Sequence, residues 1–231
     1  MNRFALLITL LLSAPAWGQE PREKEEESTK GMTAGFSIGL ITLNNENIQG
    51  VYGKAVRGFP RLSIGLVPWS RYVHIEVNSG IGFAQFKGTE QFLSGGGSAD
   101  EVWLTVLPVN VDLLLGIDIA REQPVVPYGG FGFAMALWRE VAGGSEFCGT
   151  SGTYCGNHYG WNAFFGAGLL LDRVEPDRAA KVDAMTGIND AYFTVEARYA
   201  DVAFRAENGK LARGGLSFGD WSAILGLKLV I

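Results

Sequence analysis

The side chains that could perform chemistry in this sequence are few and begin with its two histidines, His74 and His158. Hydrolysis or acyl transfer needs a nucleophile, a base and an orienting group within reach of one another. His158, Ser151 and Glu146 would supply such a set, but all three fall in one glycine-rich segment that predicts a loop. We therefore expect no catalytic residues, and we expect His158 to be a polar loop residue.

Two cysteines, Cys148 and Cys155, lie in the same segment, within GGSEFCGTSGTYCGN. The chain starts MNRFALLITLLLSAPAWGQ, and its basic residue, short apolar run and small-residue cleavage site are typical of a signal peptide. Export to an oxidising compartment favours a disulfide between the two cysteines. A metal site with His158 would need more ligands, and no metal or cofactor is expected.

The elements that position these residues are organised around residues 104–137, which predict two long strands joined by a short turn. In the first strand, bulky apolar residues alternate with a second set, which comprises Pro108, Asn110, Asp112, Leu114, Gly116 and Asp118. In the second, phenylalanine, methionine and leucine alternate with glycine and alanine. Period-two alternation predicts strands. A small or charged inner face opposite a bulky apolar face favours a narrow barrel whose outside meets lipid.

Alternating segments recur along the whole chain and predict eight strands, at 31–43, 61–67, 72–86, 104–119, 125–137, 159–171, 191–204 and 216–231. Their connections alternate between long and short. The connection at 172–190 is an exception, because it is longer than the other connections expected to be short. Long extracellular loops and short periplasmic turns are typical of membrane barrels. The sequence predicts an all-β fold, an eight-stranded antiparallel up-and-down transmembrane β-barrel.

Alternation also assigns side chains to the two faces of this barrel. A lumen charge network is predicted from the inward acids and bases, which are Glu76, Asp112, Asp118, Glu196, Arg198, Asp220 and Lys228. An outward aromatic girdle at one membrane interface is predicted from Phe83, Trp103, Trp161, Tyr199 and Trp221. Eight strands leave room only for side chains, so we expect no diffusion pore.

The chain has 231 residues, which fits a single barrel domain, and its 32 glycines and only 19% charged residues agree with a β-barrel. We predict a signal peptide at 1–18, an acidic disordered tail at 19–30 and the barrel at 31–231. The formal charge of −5 and the scattered basic residues argue against nucleic acid as a partner.

The stretches LPVNVDLLLG and VVPYGGFGFAMAL resemble the small bacterial outer-membrane β-barrel proteins of the OmpA/OmpX type. Such proteins usually end in Phe or Trp, whereas this sequence ends Leu229-Val230-Ile231. The resemblance implies the outer membrane of a Gram-negative bacterium, with its lipid and the barrel-assembly machinery as partners. It also implies a non-catalytic structural, adhesive or envelope-integrity role, with any surface ligand unidentified. The alternatives are a lipid-modifying barrel enzyme and a soluble lipocalin-like barrel, which would place bulky apolar residues inside.

Register gives one specific prediction about the lumen. If Val202 pairs with Leu216, then Arg198 lies opposite Asp220, Glu196 opposite Ser222 and Ala197 opposite Trp221. An unpaired arginine in a narrow lumen is costly, so the charges favour the pairing of Arg198 with Asp220.

Overall fold

A computed structural model describes residues 31–42, 46–52, 56–70, 73–89, 101–117, 123–142, 148, 153–172, 185–207, 210–213 and 217–231. The predicted signal peptide and acidic tail, together with Asp118, Glu146 and Ser151, lie outside these residues. No described helix is long and apolar enough to cross a bilayer.

The described elements are ten strands and one short helix. In chain order they are β1 (Met32–Thr42), α1 (Glu46–Tyr52), β2 (Val56–Ser70), β3 (Val73–Gly82), β4 (Ala84–Thr89), β5 (Glu101–Ile117), β6 (Val125–Ala142), β7 (Thr153–Leu170), β8 (Asp190–Glu207), β9 (Lys210–Arg213) and β10 (Trp221–Val230).

All neighbouring strands pair in antiparallel fashion, and the sheet closes because β10 pairs with both β1 and β8. Strand β4 continues the path of β3 along β5, and β9 adds a short hairpin to β8. The result is a ring of eight strand positions, which confirms the predicted fold. Closure leaves the ring with no free edge.

The ring has two distinct ends. Residues 31 and 231 meet at one of them, where the Gly31 amide donates to the Ile231 carbonyl at 3.2 Å; we call this the terminal end. The opposite end, where β4 and β9 extend the sheet, is called the loop end. The alternation places polar or small side chains inside and bulky apolar side chains outside along most of the ring.

Several strands reach further than the sequence predicts. Strands β6, β7 and β8 have 18 residues each, so the connection expected at 139–157 is shorter than predicted. Strand β2 also exceeds the predicted 61–67, with a register shift between Leu66 and Trp69 around Pro68. Proline has no N–H to donate, which accounts for an irregularity there. Backbone pairing needs no alternation of side chains, so it continues past the alternating segments.

Helix α1 lies between the predicted strands at 31–43 and 61–67, where the sequence analysis predicts a connection and no helix. Its Ile48 and Tyr52 are buried in a core at the loop end. The other members of this loop-end core are Ile41, Phe59, Ala84, Phe86, Val102, Leu104, Val106, Ala134, Ala136, Val202, Phe218 and Ile224. A seven-residue helix is too short to be stable alone, so packing in this core must stabilise it.

Candidate functional site: the filled lumen and the outer aromatic ladder

At mid-height the lumen holds four charged side chains from three strands, which we call the midlumen cluster. Arg198 Nη1 lies 2.8 Å from Asp112 Oδ2, and Arg198 Nε lies 2.9 Å from Glu196 Oε1. Arg61 Nη2 approaches Asp112 Oδ2 at 3.7 Å. Two positive and two negative groups therefore balance one another inside the barrel.

Neutral groups complete the coordination of this cluster. Asn162 Nδ2 donates to Asp112 Oδ1 at 2.9 Å, and Asn162 Oδ1 accepts from Arg198 Nη1 at 3.0 Å. Asn110 donates to the same aspartate. The guanidinium carbon of Arg198 lies 4.4 Å from the centre of the Phe164 ring. Each side of the arginine thus has a partner, which offsets the cost of its burial.

A second polar group, the terminal cluster, surrounds the fully buried Glu76 on β3. Thr33 Oγ1 donates to Glu76 Oε1 at 2.7 Å, and Asn78 Nδ2 donates to the same oxygen at 2.9 Å. His74 Nε2 lies 3.0 Å from Glu76 Oε2, which Lys228 also contacts. Hydrogen bonds from this many donors offset the cost of burying a carboxylate.

The predicted pairing of Arg198 with Asp220 is wrong. Arg198 lies opposite Ser222, because the hairpin closes with the Phe218 amide donating to the Val202 carbonyl at 3.0 Å. The register is displaced by two residues, which preserves which side chains face inward. Asp220 instead accepts a hydrogen bond from Thr42 Oγ1 at 2.8 Å.

The same displacement overturns the other two pairings predicted for this hairpin. Glu196 lies opposite Ile224, and Ala197 lies opposite Ala223. Of the predicted network, the two clusters bring together Glu76, Asp112, Glu196, Arg198 and Lys228. Asp220 belongs to neither cluster.

Arg61 is the main member that the sequence analysis missed. It lies on the inward face of the second predicted strand, so alternation alone would have placed it in the lumen. Alternation likewise places the neutral partners Asn110 and Asn162 in the lumen. Their contact with Asp112 depends on strand order around the ring, which the alternation does not specify.

His158 is not a loop residue, and this prediction is also wrong. It lies on β7, is 3% exposed, and its Nδ1 accepts a hydrogen bond from Trp138 Nε1 at 3.1 Å. Its ring centre is 5.1 Å from that of Phe218. Strand pairing that extends to Thr153 carries His158 into the barrel, where its imidazole packs beside the loop-end core.

A polar contact of Tyr52 attaches helix α1 to the barrel wall. Tyr52 donates its hydroxyl to Glu140 Oε2 at 2.9 Å. Burial first, and then the negative charge of Glu140, raise the pKa of the Tyr52 hydroxyl well above its ordinary value. The hydroxyl therefore stays neutral and remains a donor. The backbone of α1 also approaches β4 closely, since a Cβ at Gly88 would collide with the Val51 carbonyl oxygen.

On the outside, three aromatic rings from adjacent strands form a row that we call the aromatic ladder. Tyr199 on β8 lies between Trp161 on β7 and Trp221 on β10, and both ring-centre separations are 5.5 Å. The other aromatics predicted for a girdle stand apart. Trp103 has Lys87 Nζ at 5.4 Å from its ring centre, and Phe83 is exposed.

The predicted disulfide between Cys148 and Cys155 is confirmed, with a Cα–Cα distance of 5.6 Å. Cys155 belongs to strand β7 and lies opposite Arg139 of β6, so the bridge is anchored to the barrel wall. Among the described residues, no group of histidine, cysteine, aspartate and glutamate side chains is suited to hold a metal ion.

Taken together, the closed ring, the paired lumen charges and the apolar outer face define the class of small β-barrels with filled interiors. No protein family and no curated protein matches the sequence.

Solved structures that are similar to this chain include small outer-membrane β-barrels. Neisserial surface protein A shares 14% identity over 87% of this chain and 97% of that chain, with a TM-score of 0.48. OprG of Pseudomonas aeruginosa shares 12% identity over 87% and 96%, with a TM-score of 0.48. Ail of Yersinia pestis, in complex with the heparin analogue sucrose octasulfate, shares 8% over 87% and 97%, with a TM-score of 0.44. At such identities the similarity does not extend to residue roles.

Proposed function

We propose that this protein is a non-catalytic outer-membrane barrel that presents a folded surface outside the cell, in a structural, adhesive or envelope-integrity role. The observation that carries the proposal is that the barrel has apolar side chains on its outside and charged side chains inside, the reverse of a water-soluble barrel. Ile64, Phe131 and Phe165 are 66%, 63% and 62% exposed on the outside, whereas Glu76 is fully buried inside. Contiguous exposed apolar surface of this kind is unfavourable in water and favourable in lipid. A soluble lipocalin-like barrel would have the opposite arrangement.

The lumen supports a closed barrel rather than a channel. The midlumen cluster places paired charges across the middle of the lumen, and the loop-end core fills the next layer with apolar side chains. A cavity of about 540 Å³, including its open mouth, lies toward the terminal end, beside His74 and Lys228, and a second of about 500 Å³, also counted with its opening, borders the midlumen cluster at Arg61 and Asp112. Solutes entering from that end would meet the midlumen cluster and then the loop-end core.

Strand length supports a folded surface beyond the membrane. A membrane-spanning strand needs about 9–11 residues, whereas β6, β7 and β8 have 18 each. The excess lies at the loop end, beyond the aromatic ladder, and is stabilised by the loop-end core and the disulfide. This part of the barrel offers a rigid surface for contacts with a partner.

A lipid-modifying enzyme is the alternative, and the environment of His158 weighs against it. A catalytic imidazole must reach its nucleophile and its substrate. The buried ring of His158 instead accepts a hydrogen bond from Trp138 and packs against Phe218.

The proposal also includes export and assembly. Residues 1–18 serve as a cleaved signal peptide, the barrel-assembly machinery inserts the chain, and outer-membrane lipid is its permanent partner. The long connections then lie outside the cell, with the terminal end in the periplasm.

Membrane insertion is tested by expressing the full chain in a Gram-negative host and extracting the envelope with carbonate. We expect the protein to remain in the membrane and to migrate differently on a denaturing gel before and after boiling. Extraction into buffer together with identical migration would contradict the proposal.

Closure of the lumen is tested separately, in planar bilayers containing the purified barrel. We expect no stable conductance, because the apolar loop-end core closes the lumen beyond the charged midlumen cluster. A persistent single-channel current would show that the barrel is a pore.

A further inference from the structure

The β8–β9 hairpin places one strongly exposed cation directly beyond the aromatic ladder. Arg213 pairs across the hairpin with Phe204, and its guanidinium carbon lies 6.0 Å from the centre of that ring. Its side chain is 65% exposed. Asp201, which lies opposite Trp161, contacts Arg213 Nη2 at 3.3 Å. The cation is therefore held at the edge of the ladder rather than free to swing away from it.

This cation retains binding capacity. Among the described residues, Arg213 contacts Asp201 through Nη2 alone, which leaves Nη1 and Nε available. An exposed ion pair of this kind is weak, so a better anion can compete with the carboxylate. Arginine matches phosphate well, because its planar group donates two parallel hydrogen bonds to phosphate oxygens.

The outer surface on this flank carries charged, aromatic and apolar side chains in the same order as the corresponding parts of an amphipathic lipid. From the loop end toward the terminal end, the cation comes first and the aromatic ladder second. Exposed apolar side chains follow on the same three strands, including Phe165 on β7, Val195 on β8 and Leu225 on β10. A phosphate, the glycerol region and an acyl chain would meet these three layers in turn.

The other exposed cation–aromatic pair differs in a way that makes it a control. Lys87 on β4 lies beside Trp103, which has no described aromatic neighbour in contact. Its ammonium lies 2.5 Å from Glu101 Oε1, so the carboxylate neutralises it directly. This pair lies on the opposite side of the ring from β9.

We propose that the flank formed by Arg213 and the aromatic ladder is a binding site for an anionic lipid, with the lipid phosphate on Arg213 and an acyl chain along β7, β8 and β10. The site rests on the proposed function, because it requires a barrel whose ladder lies at the membrane interface. It adds a specific lipid position to a surface that otherwise only contacts bulk lipid.

The test is native mass spectrometry of the purified, folded barrel in detergent, titrated with short-chain phosphatidylglycerol. We expect Arg213→Gln to weaken binding about fivefold, the effect of one basic side chain at an anionic membrane surface. Arg213→Lys should retain most of the affinity. Asp201→Asn should increase it, because the competing carboxylate is removed. Lys87→Gln, which makes the same change of charge, should leave the affinity unchanged.

Two further ligands separate the contribution of the phosphate from that of the acyl chains. Diacylglycerol with the same chains, which lacks phosphate, should bind the wild type and Arg213→Gln equally. Inorganic phosphate should not displace phosphatidylglycerol at equal concentration, since it lacks the acyl chain that contacts the ladder.

Three results would overturn the site. These are equal phosphatidylglycerol affinity in wild type and Arg213→Gln, equal weakening by Lys87→Gln, and full displacement by inorganic phosphate. The shift on boiling is measured on every sample. A wild type without the shift refutes the proposed function, whereas a folded barrel with no Arg213 dependence refutes only the lipid site.

Discussion

Individual residues in the lumen are held by reciprocal contacts, and the midlumen cluster shows this most clearly. Arg198 contacts Asp112, Glu196 and Asn162, each from a different direction. A buried ion pair adds little stability relative to apolar packing, because both charges lose their water. Removing one partner is much more costly, since the remaining charges stay buried and unpaired.

We therefore expect Arg198→Met to lower the free energy of unfolding by about 3–5 kcal/mol, because Asp112 and Glu196 lose their main cation. The measurement is urea unfolding of the barrel refolded into lipid vesicles. Arg213→Met is the matched control, since its exposed ion pair should contribute less than about 1 kcal/mol. Equal effects of the two substitutions would mean that water reaches Arg198 freely.

Among the elements, α1 is the one whose structure depends most on its surroundings. Ile48 and Tyr52 place it against β4 and the loop-end core, and the Tyr52 hydroxyl fixes it to β6 through Glu140. The strands below it are joined by continuous backbone pairing. Helix α1 should therefore open locally without unfolding of the ring.

Tyr52→Phe should increase hydrogen exchange at the amides of residues 46–52 several-fold and leave exchange in β5 and β6 unchanged. The reason is the loss of one hydrogen bond to a carboxylate, which contributes roughly 1–3 kcal/mol. Exchange is followed by mass spectrometry of peptides from the folded barrel. Tyr154→Phe, at a 63% exposed position on β7, is the control. Unchanged exchange in α1 would show that the Tyr52 hydroxyl does not help to hold the helix.

In the whole molecule, stability resides in the closed ring. Every ring strand has a paired neighbour on both sides, and β10 joins the first strand to β8. The disulfide lies outside this closure, since Cys148 precedes β7 and Cys155 is near its start. It links residues only 7 positions apart and therefore restricts little of the unfolded chain.

Reduction of the disulfide should leave the melting temperature of the barrel almost unchanged, because a loop this short contributes about 2–3 kcal/mol at most, at the loop end alone. Circular dichroism of the barrel in detergent, with and without reductant, measures this. The double variant Cys148→Ser/Cys155→Ser, which cannot form the disulfide, is measured beside the reduced protein. A large drop in melting temperature in both samples would show that the loop end and the ring unfold together.

The sequence by itself determined the two faces of the barrel. Period two fixes which residues share a side, so the inward positions of Glu76, Asp112 and Arg198 and the outward position of Phe131 followed from alternation alone. The pairing of Cys148 with Cys155 followed from the predicted export and from the absence of any other cysteine in the sequence.

Tertiary structure decided what alternation leaves open. A displacement of two residues preserves every face, so the sequence could not choose between Asp220 and Ser222 as the neighbour opposite Arg198. Helix α1 has too few residues to form alone, and its contacts with the loop-end core and Glu140 stabilise it. His158 became buried because β7 pairs with β6 beyond the alternating segment. In each case the deciding contact joins residues distant in sequence, whereas the pattern of alternation is local.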